Sequence, residues 1–121
     1  MIVRFGKITK VDPKGKVQVF YEDTGNTTLM LPLLSFGEEY KLPSVGEMVL
    51  VLHKENSPSS GVVLGTFWSD SHVPDSSTAY SKEFTSESGM KIEDDKLVIY
   101  APKVEIQTDT GTINMSDLIG G

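Results

Sequence analysis

β-Branched side chains dominate this sequence, and alanine is almost missing from it. Val, Ile and Thr together supply 29 of 121 residues, against two Ala. Branching at Cβ restricts rotamers in a helix and suits the pleated surface of a sheet. Eleven Gly and six Pro break the chain into short pieces at turn positions. The expectation is an all-β protein.

The first part of the chain reads as five strands. Residues 2–11, IVRFGKITKV, alternate with the period of a strand, with Gly6 expected as a bulge. Asp12-Pro13-Lys14-Gly15 is a turn, in which Pro sets φ and Gly tolerates a positive φ. Residues 16–21, KVQVFY, complete a hairpin with Val17 and Val19 on one face. After the turn Glu22–Asn26, residues 27–34, TTLMLPLL, form a third strand whose Pro32 places it near an edge. Residues 35–46 read as a loop, where Ser35 and Glu38 fit a capping box and would allow one helical turn. Residues 47–53 and 61–68 are the fourth and fifth strands, joined by the polar loop 54–60. Five strands in this length suggest a small closed barrel of the oligonucleotide/oligosaccharide-binding (OB) type over residues 1–68. Closure would remove exposed strand edges.

Residues 69–80, SDSHVPDSSTAY, read as a linker, and the beat then quickens. Short strands are expected at Lys82–Thr85, Met90–Ile92, Leu97–Tyr100, Val104–Gln107 and Thr112–Met115. Between them stand the turns Ser88-Gly89, Asp94-Asp95, Ala101-Pro102 and Asp109-Thr110-Gly111. Met90, Ile92, Leu97, Ile99, Val104, Ile106, Ile113 and Met115 fall on apolar faces. Each strand offers about two such residues, too few for a self-sufficient sheet. Two arrangements satisfy this pattern. Copies of the chain wrap their apolar faces around one axis, or the tail packs against its own barrel.

Charge follows the same division. Residues 1–67 carry seven basic and seven acidic residues, whereas residues 68–121 carry four and ten, which accounts for the whole net charge of −6. An acidic tail repels polyanions, so generic nucleic-acid binding is disfavoured. There is no cysteine, which removes disulfides, Cys-based zinc sites and thiol nucleophiles. No apolar run is long enough for a transmembrane helix, and residues 1–20 have five basic residues and no apolar block, so no secretory signal is expected.

Candidate chemistry is sparse. Glu93-Asp94-Asp95 reads as a solvated turn and lacks the spacing of a calcium loop. His53 is a strand-end residue with only Glu55 nearby, too few ligands for zinc, and His72 is a loop residue. Ser57, Ser59 and Ser60 form no nucleophile elbow, and phosphate-loop and dinucleotide glycine patterns are missing. Phe67 and Trp68 could stack bases or sugars, but no basic stripe accompanies them; packing at the barrel exit is expected instead. No catalytic residue, cofactor site or metal site is assigned, and the chain is not expected to be an enzyme.

One block has a recognisable pattern. Pro43-Ser44-Val45-Gly46-Glu47-Met48-Val49-Leu50-Val51-Leu52, a polar loop, and Gly61-Val62-Val63-Leu64-Gly65 resemble the baseplate assembly protein V family, the central spike proteins of contractile phage tails. Related spikes occur in phage-tail-like bacteriocins and, more distantly, in type VI secretion. The opening, with Gly6-Lys7-Ile8, the turn Asp12-Pro13 and Lys16-Val17-Gln18-Val19, also matches, so the resemblance covers residues 3–68. A weaker one covers 85–107, through Gly89-Met90-Lys91-Ile92-Glu93 and Lys96-Leu97-Val98-Ile99.

The resemblance implies a homotrimer with an amino-terminal OB barrel and a short carboxy-terminal β-helix or β-prism stem over residues 81–121. The eight apolar residues above would then be the trimer core. It implies a baseplate component of a virion or phage tail-like particle, assembled in the host cytoplasm. The spike would dock under the tail hub and tube and puncture the target cell envelope when the sheath contracts. No nucleic-acid partner is expected, given the acidic tail and the missing basic stripe. Some family members end in a His-x-His tip that binds iron, but His53 and His72 both lie well before the end here. A separate tip protein would then complete the stem, and no length remains for a lysozyme domain. The alternative from another class is an OB module that binds nucleic acid or glycan and carries an acidic appendage.

Overall fold

A computed structural model describes residues 1–55, 57, 59–74 and 79–119. Parts of the expected loop 54–60 and linker 69–80, and the final two glycines, lie outside the described residues. The chain is mostly strand and divides into two compact units, Met1–His72 and Val73–Gly121. The division falls inside the segment expected as a linker.

In the first unit, β1 (Ile2–Asp12) and β2 (Lys16–Tyr21) form the expected hairpin. Its turn is held by Gly15 N–H donating to the Asp12 carbonyl and Lys14 N–H donating to the Asp12 carboxylate. Gly15 has φ 87°, so glycine is required there. The register shifts at Thr9, between Ile8 and Lys10, and not at Gly6 as the sequence suggested. Gly6 lies in the regular ladder with β5, and its missing side chain makes room: a Cβ there would sit 2.3 Å from Val19 Cγ1 and 2.8 Å from the Tyr21 ring.

The expected third strand is split into β3 (Asn26–Thr27) and β4 (Leu31–Pro32), both paired with β2. The cause is Thr28. Its hydroxyl accepts the Val19 N–H at 3.0 Å, so a side chain replaces one rung of the backbone ladder, and three residues, 28–30, oppose two. β5 (Met48–His53) pairs with β1, and β6 (Val62–Thr66) pairs with β5, all antiparallel. Just beyond β4, Leu33 makes a parallel bridge to Val63, and Leu34 N–H donates to the Val63 carbonyl at 2.8 Å. Inward-facing Ile8, Val17, Val19, Tyr21, Leu31, Val49, Val51 and Val63 make the core. Each buried aliphatic side chain contributes about 1.5–3 kcal/mol.

The loop after β4 contains no helical turn. Phe36 and Glu39 instead bridge across a tight turn, with Gly37 at φ 58° and Glu38 at φ 63°. Glu38 therefore cannot serve as the third residue of a helix cap, and the capping-box expectation fails.

The second unit has two separate sheets. β7 (Tyr80–Thr85), β8 (Ser88–Glu93) and β9 (Lys96–Tyr100) form an antiparallel meander; β10 (Glu105–Thr108) and β11 (Gly111–Asn114) form a hairpin. Ser88-Gly89, expected as a turn, belongs to β8, because Ser86 and Glu87 already make the reversal. Gly89 lies beneath Tyr100, whose hydroxyl would be 2.7 Å from an added Cβ. Met115, expected to end a strand, opens the five-residue helix α1 (Met115–Ile119). Its preceding residue, Asn114, supplies the reason. The Asn114 carboxamide accepts the Ser116 N–H and hydroxyl, the bonding of a helix N-cap.

Candidate functional site

Six of the eight residues nominated for a shared core fall into three cross-strand pairs. Met90 stands opposite Ile99 and Ile92 opposite Leu97 in the β8–β9 ladder. Ile106 stands opposite Ile113 in the β10–β11 ladder. One step further out, Met115 N–H donates to the Val104 carbonyl at 2.9 Å. Residues directly opposite share a face, so each sheet gathers its nominated side chains on one side.

On those sides five of the eight side chains are exposed. Leu97 and Ile99 are 62% and 60% exposed, and Ile106 is 54% exposed. Ile92 and Ile113 are also exposed, whereas Met90, Val104 and Met115 are half-buried. Among the described residues of this unit, only Gly89 is buried. The opposite face of the meander is served by its own side chains. Tyr100 covers Gly89, the Lys91 ammonium lies 5.8 Å from the Tyr100 ring centre, and Lys91 pairs with Glu93 at 2.8 Å. The sheet thus pairs its polar side internally, while Ile92, Leu97 and Ile99 on the other side are exposed.

The turn that aligns β8 with β9 uses Asp94 and Asp95, at φ 51° and 61°. Two consecutive left-handed residues make the tight hairpin connection whose twist matches the strands. Among the described residues, no group of three or more His, Cys, Asp or Glu side chains could hold a metal ion. Asp94 and Asp95 form this turn, and Glu93 ends β8.

A second cluster, in the first unit, escaped the sequence reading. His53 is buried at the end of β5. Its Nδ1 lies against the Ser60 carbonyl and its Nε2 lies 2.5 Å from the Tyr21 hydroxyl. A carbonyl only accepts, so the network assigns the ring proton to Nδ1 and makes Nε2 the acceptor for Tyr21. The Arg4 guanidinium stacks 3.8 Å over the Tyr21 ring and pairs with Asp23 at 2.6 Å. Burial pushes the Tyr21 hydroxyl pKa up, the Arg4 charge opposes that, and the Asp23 carboxylate adds to it.

These side chains line a cavity of about 320 Å³ together with Asn26, Thr27, Thr28 and Ser57. Arg4 is already neutralised by Asp23, and the imidazole uses both nitrogens structurally. The arrangement locks β1, β2 and β5 together. Alternation held the clue: Tyr21 shares the inward phase of Val17 and Val19, and His53 that of Val49 and Val51.

Phe67 packs edge-on against Phe5 with centroids 5.1 Å apart. Trp68 is exposed and lies over the His72 ring at 4.6 Å, and His72 Nδ1 lies 3.0 Å from the Phe67 carbonyl. No helix among the described residues is long and apolar enough to cross a membrane.

No protein-family model matches this chain, and no curated protein matches it.

Proposed function

We propose that this chain is the central spike of a contractile tail or related injection machine. It would be a structural protein that associates as a homotrimer, docks under the tail hub and punctures the target envelope when the sheath contracts. The observation that carries the reading is the set of cross-strand pairs Met90–Ile99, Ile92–Leu97 and Ile106–Ile113, in which every side chain but the half-buried Met90 is exposed. Apolar faces of this kind call for a partner surface. Three copies wound about one axis would supply it from identical strands, as β-helical or prismatic stems do.

The pairing order of the first unit supports the barrel half of the reading. Taking β3 and β4 as one interrupted strand, the sequence of neighbours is β1, β2, β4, β6, β5 and back to β1, with a parallel step between the β4 segment and β6. That order supports a five-stranded OB barrel as the reading of this unit. A load-bearing needle also suits interchain backbone ladders, because many bonds must break together before such a stem yields. Its acidic exterior, roughly −18 for three copies, would stay hydrated and soluble.

Light scattering of the full chain tests the proposal. Three chains of 13.3 kDa give about 40 kDa. A monomer that binds oligonucleotide in a salt-sensitive way would replace this reading with that of an OB binding module. Imaging of a particle with this chain at the distal end of its tube would identify the machine.

A further inference from the structure

Glu47 and His72 line one cleft of about 420 Å³ in the first unit. Glu47 is half-buried and has no ion pair among the described residues. Its backbone is clamped to β1. Gly46 N–H donates to the Ile8 carbonyl at 2.8 Å, and Ile8 N–H donates to the Glu47 carbonyl at 2.9 Å. His72 is held by paired backbone bonds with Ser69, at 2.9 and 3.1 Å. Its Nδ1 faces the Phe67 carbonyl, which only accepts, so the ring proton sits on Nδ1. Nε2 is then an acceptor with no hydrogen-bond partner among the described residues.

The other walls are of two kinds. Val45, Met48 and Phe67 are apolar, whereas Thr66 and Ser69 bring hydroxyls. An adjoining cleft of about 240 Å³ shares Glu47, Thr66 and His72 and adds Glu39 and Lys41, whose charges offset each other. The uncompensated charge of the two clefts is therefore the Glu47 carboxylate. Asp70, in the turn between Ser69 and His72, adds to it. Acceptors, a negative charge and an apolar wall together suit one kind of side chain, a cation at the end of an aliphatic stem.

We infer that this cleft is a docking site for an arginine or lysine side chain presented by a partner protein. The stem would lie along Val45, Met48 and Phe67, and the guanidinium or ammonium would meet Glu47 and His72 Nε2. Both acceptors are positioned before the partner arrives, so little ordering is lost on binding. An anionic partner would meet a cleft of its own sign. All of these residues belong to the first unit, so the inference stands apart from the threefold reading of the second.

Trp68 is the only tryptophan of the chain and lies over the His72 ring at 4.6 Å, so its emission reports on the cleft. The full chain is titrated with the end-blocked tripeptides Gly-Arg-Gly, Gly-Lys-Gly and Gly-Gln-Gly at matched ionic strength. The first two are expected to change Trp68 emission saturably and to shift the amide resonances of Gly46, Thr66 and Ser69. The Gln peptide is expected to do neither. Glu47→Gln should weaken binding of the Arg peptide about tenfold, because a charge-assisted bond becomes a neutral one. His72→Phe keeps a ring beside Trp68 and removes Nε2; a loss of about threefold is expected, read from the Gly46 and Thr66 resonances.

An equal response to the Gln peptide would overturn the inference, as would no response to either cation. So would undiminished binding in Glu47→Gln, with the fold checked by circular dichroism. If that variant does not fold, unchanged affinity in His72→Phe overturns it. Light scattering on the same samples reads association separately. A monomer that still binds the Arg peptide would defeat the spike reading and leave this site standing.

Discussion

The two units use the same alternation of apolar and polar residues and reach opposite outcomes. In Met1–His72, strands from several hydrogen-bonded neighbours turn their apolar sides toward one another, and eight side chains are buried. In Val73–Gly121, the strands make two separate sheets, and most of the nominated apolar side chains on them are exposed. Hydrophobicity is therefore not what separates a core from a surface. What matters is whether a sheet has enough neighbours in its own chain to face. A six-stranded unit has them; a meander and a hairpin do not.

The sharpest way to break the contrast is a charge on the bare face. Ile99→Asp places a carboxylate opposite Met90, where the proposed assembly would bury it without a partner. The expected outcome is complete loss of the trimeric mass by light scattering, while the first unit keeps its fold by circular dichroism. A trimer that survives would show the opposite face of the meander to be the one that associates.

A second substitution works on the other side of the comparison. Ile8→Ala removes a fully buried side chain from the first unit's core. Unfolding of that unit in urea should then require about 3 kcal/mol less. Because Ile8 belongs to no nominated association face, the mass at low denaturant is expected to be unchanged. If the two units unfolded together with the same loss, the contrast between a self-sufficient and a dependent unit would need revision.

The smallest effect concerns Tyr21. Tyr21→Phe deletes the hydrogen bond to His53 and should cost about 1–2 kcal/mol in urea unfolding. It should also change the alkaline limb. The folded-state pKa of Tyr21 is raised above its ordinary value near 10, so its neutral form is favoured in the folded state. That contribution is fully present below pH about 10 and is lost as pH rises through the folded-state pKa. The wild type should therefore lose stability more steeply above pH 10 than the Phe variant. Parallel slopes would show that Tyr21 remains as accessible folded as unfolded.

Much of this was legible in the sequence because strand geometry is local. Period-two alternation placed Val17 and Val19 inward, and the Asp12–Gly15 and Asp94-Asp95 turns fixed which strands pair and in what register. Two of the misses involve a side chain taking a backbone hydrogen bond. Thr28 took a ladder hydrogen bond and split the third strand. Asn114 capped a short helix where another strand residue was expected. Glu38 took the left-handed conformation of a turn and so left its capping role. The His53–Tyr21 pair went unseen because it joins residues 32 positions apart, although the phase of each strand pointed both side chains inward. Whether a face is covered depends on what else is present, and no pattern within one chain encodes that.

The Asp94-Asp95 turn has one more consequence. With only two residues, both left-handed, it sets the ladder so that Glu93 meets Lys96, Ile92 meets Leu97 and Met90 meets Ile99. A hairpin that closed one residue out of step would present Lys91 and Glu93 on the side that the proposed assembly turns to its sister chains. Such a chain could not join them. In the proposed assembly the turn would act as a molecular ruler, and misfolded copies would be rejected by geometry before any particle was built around them.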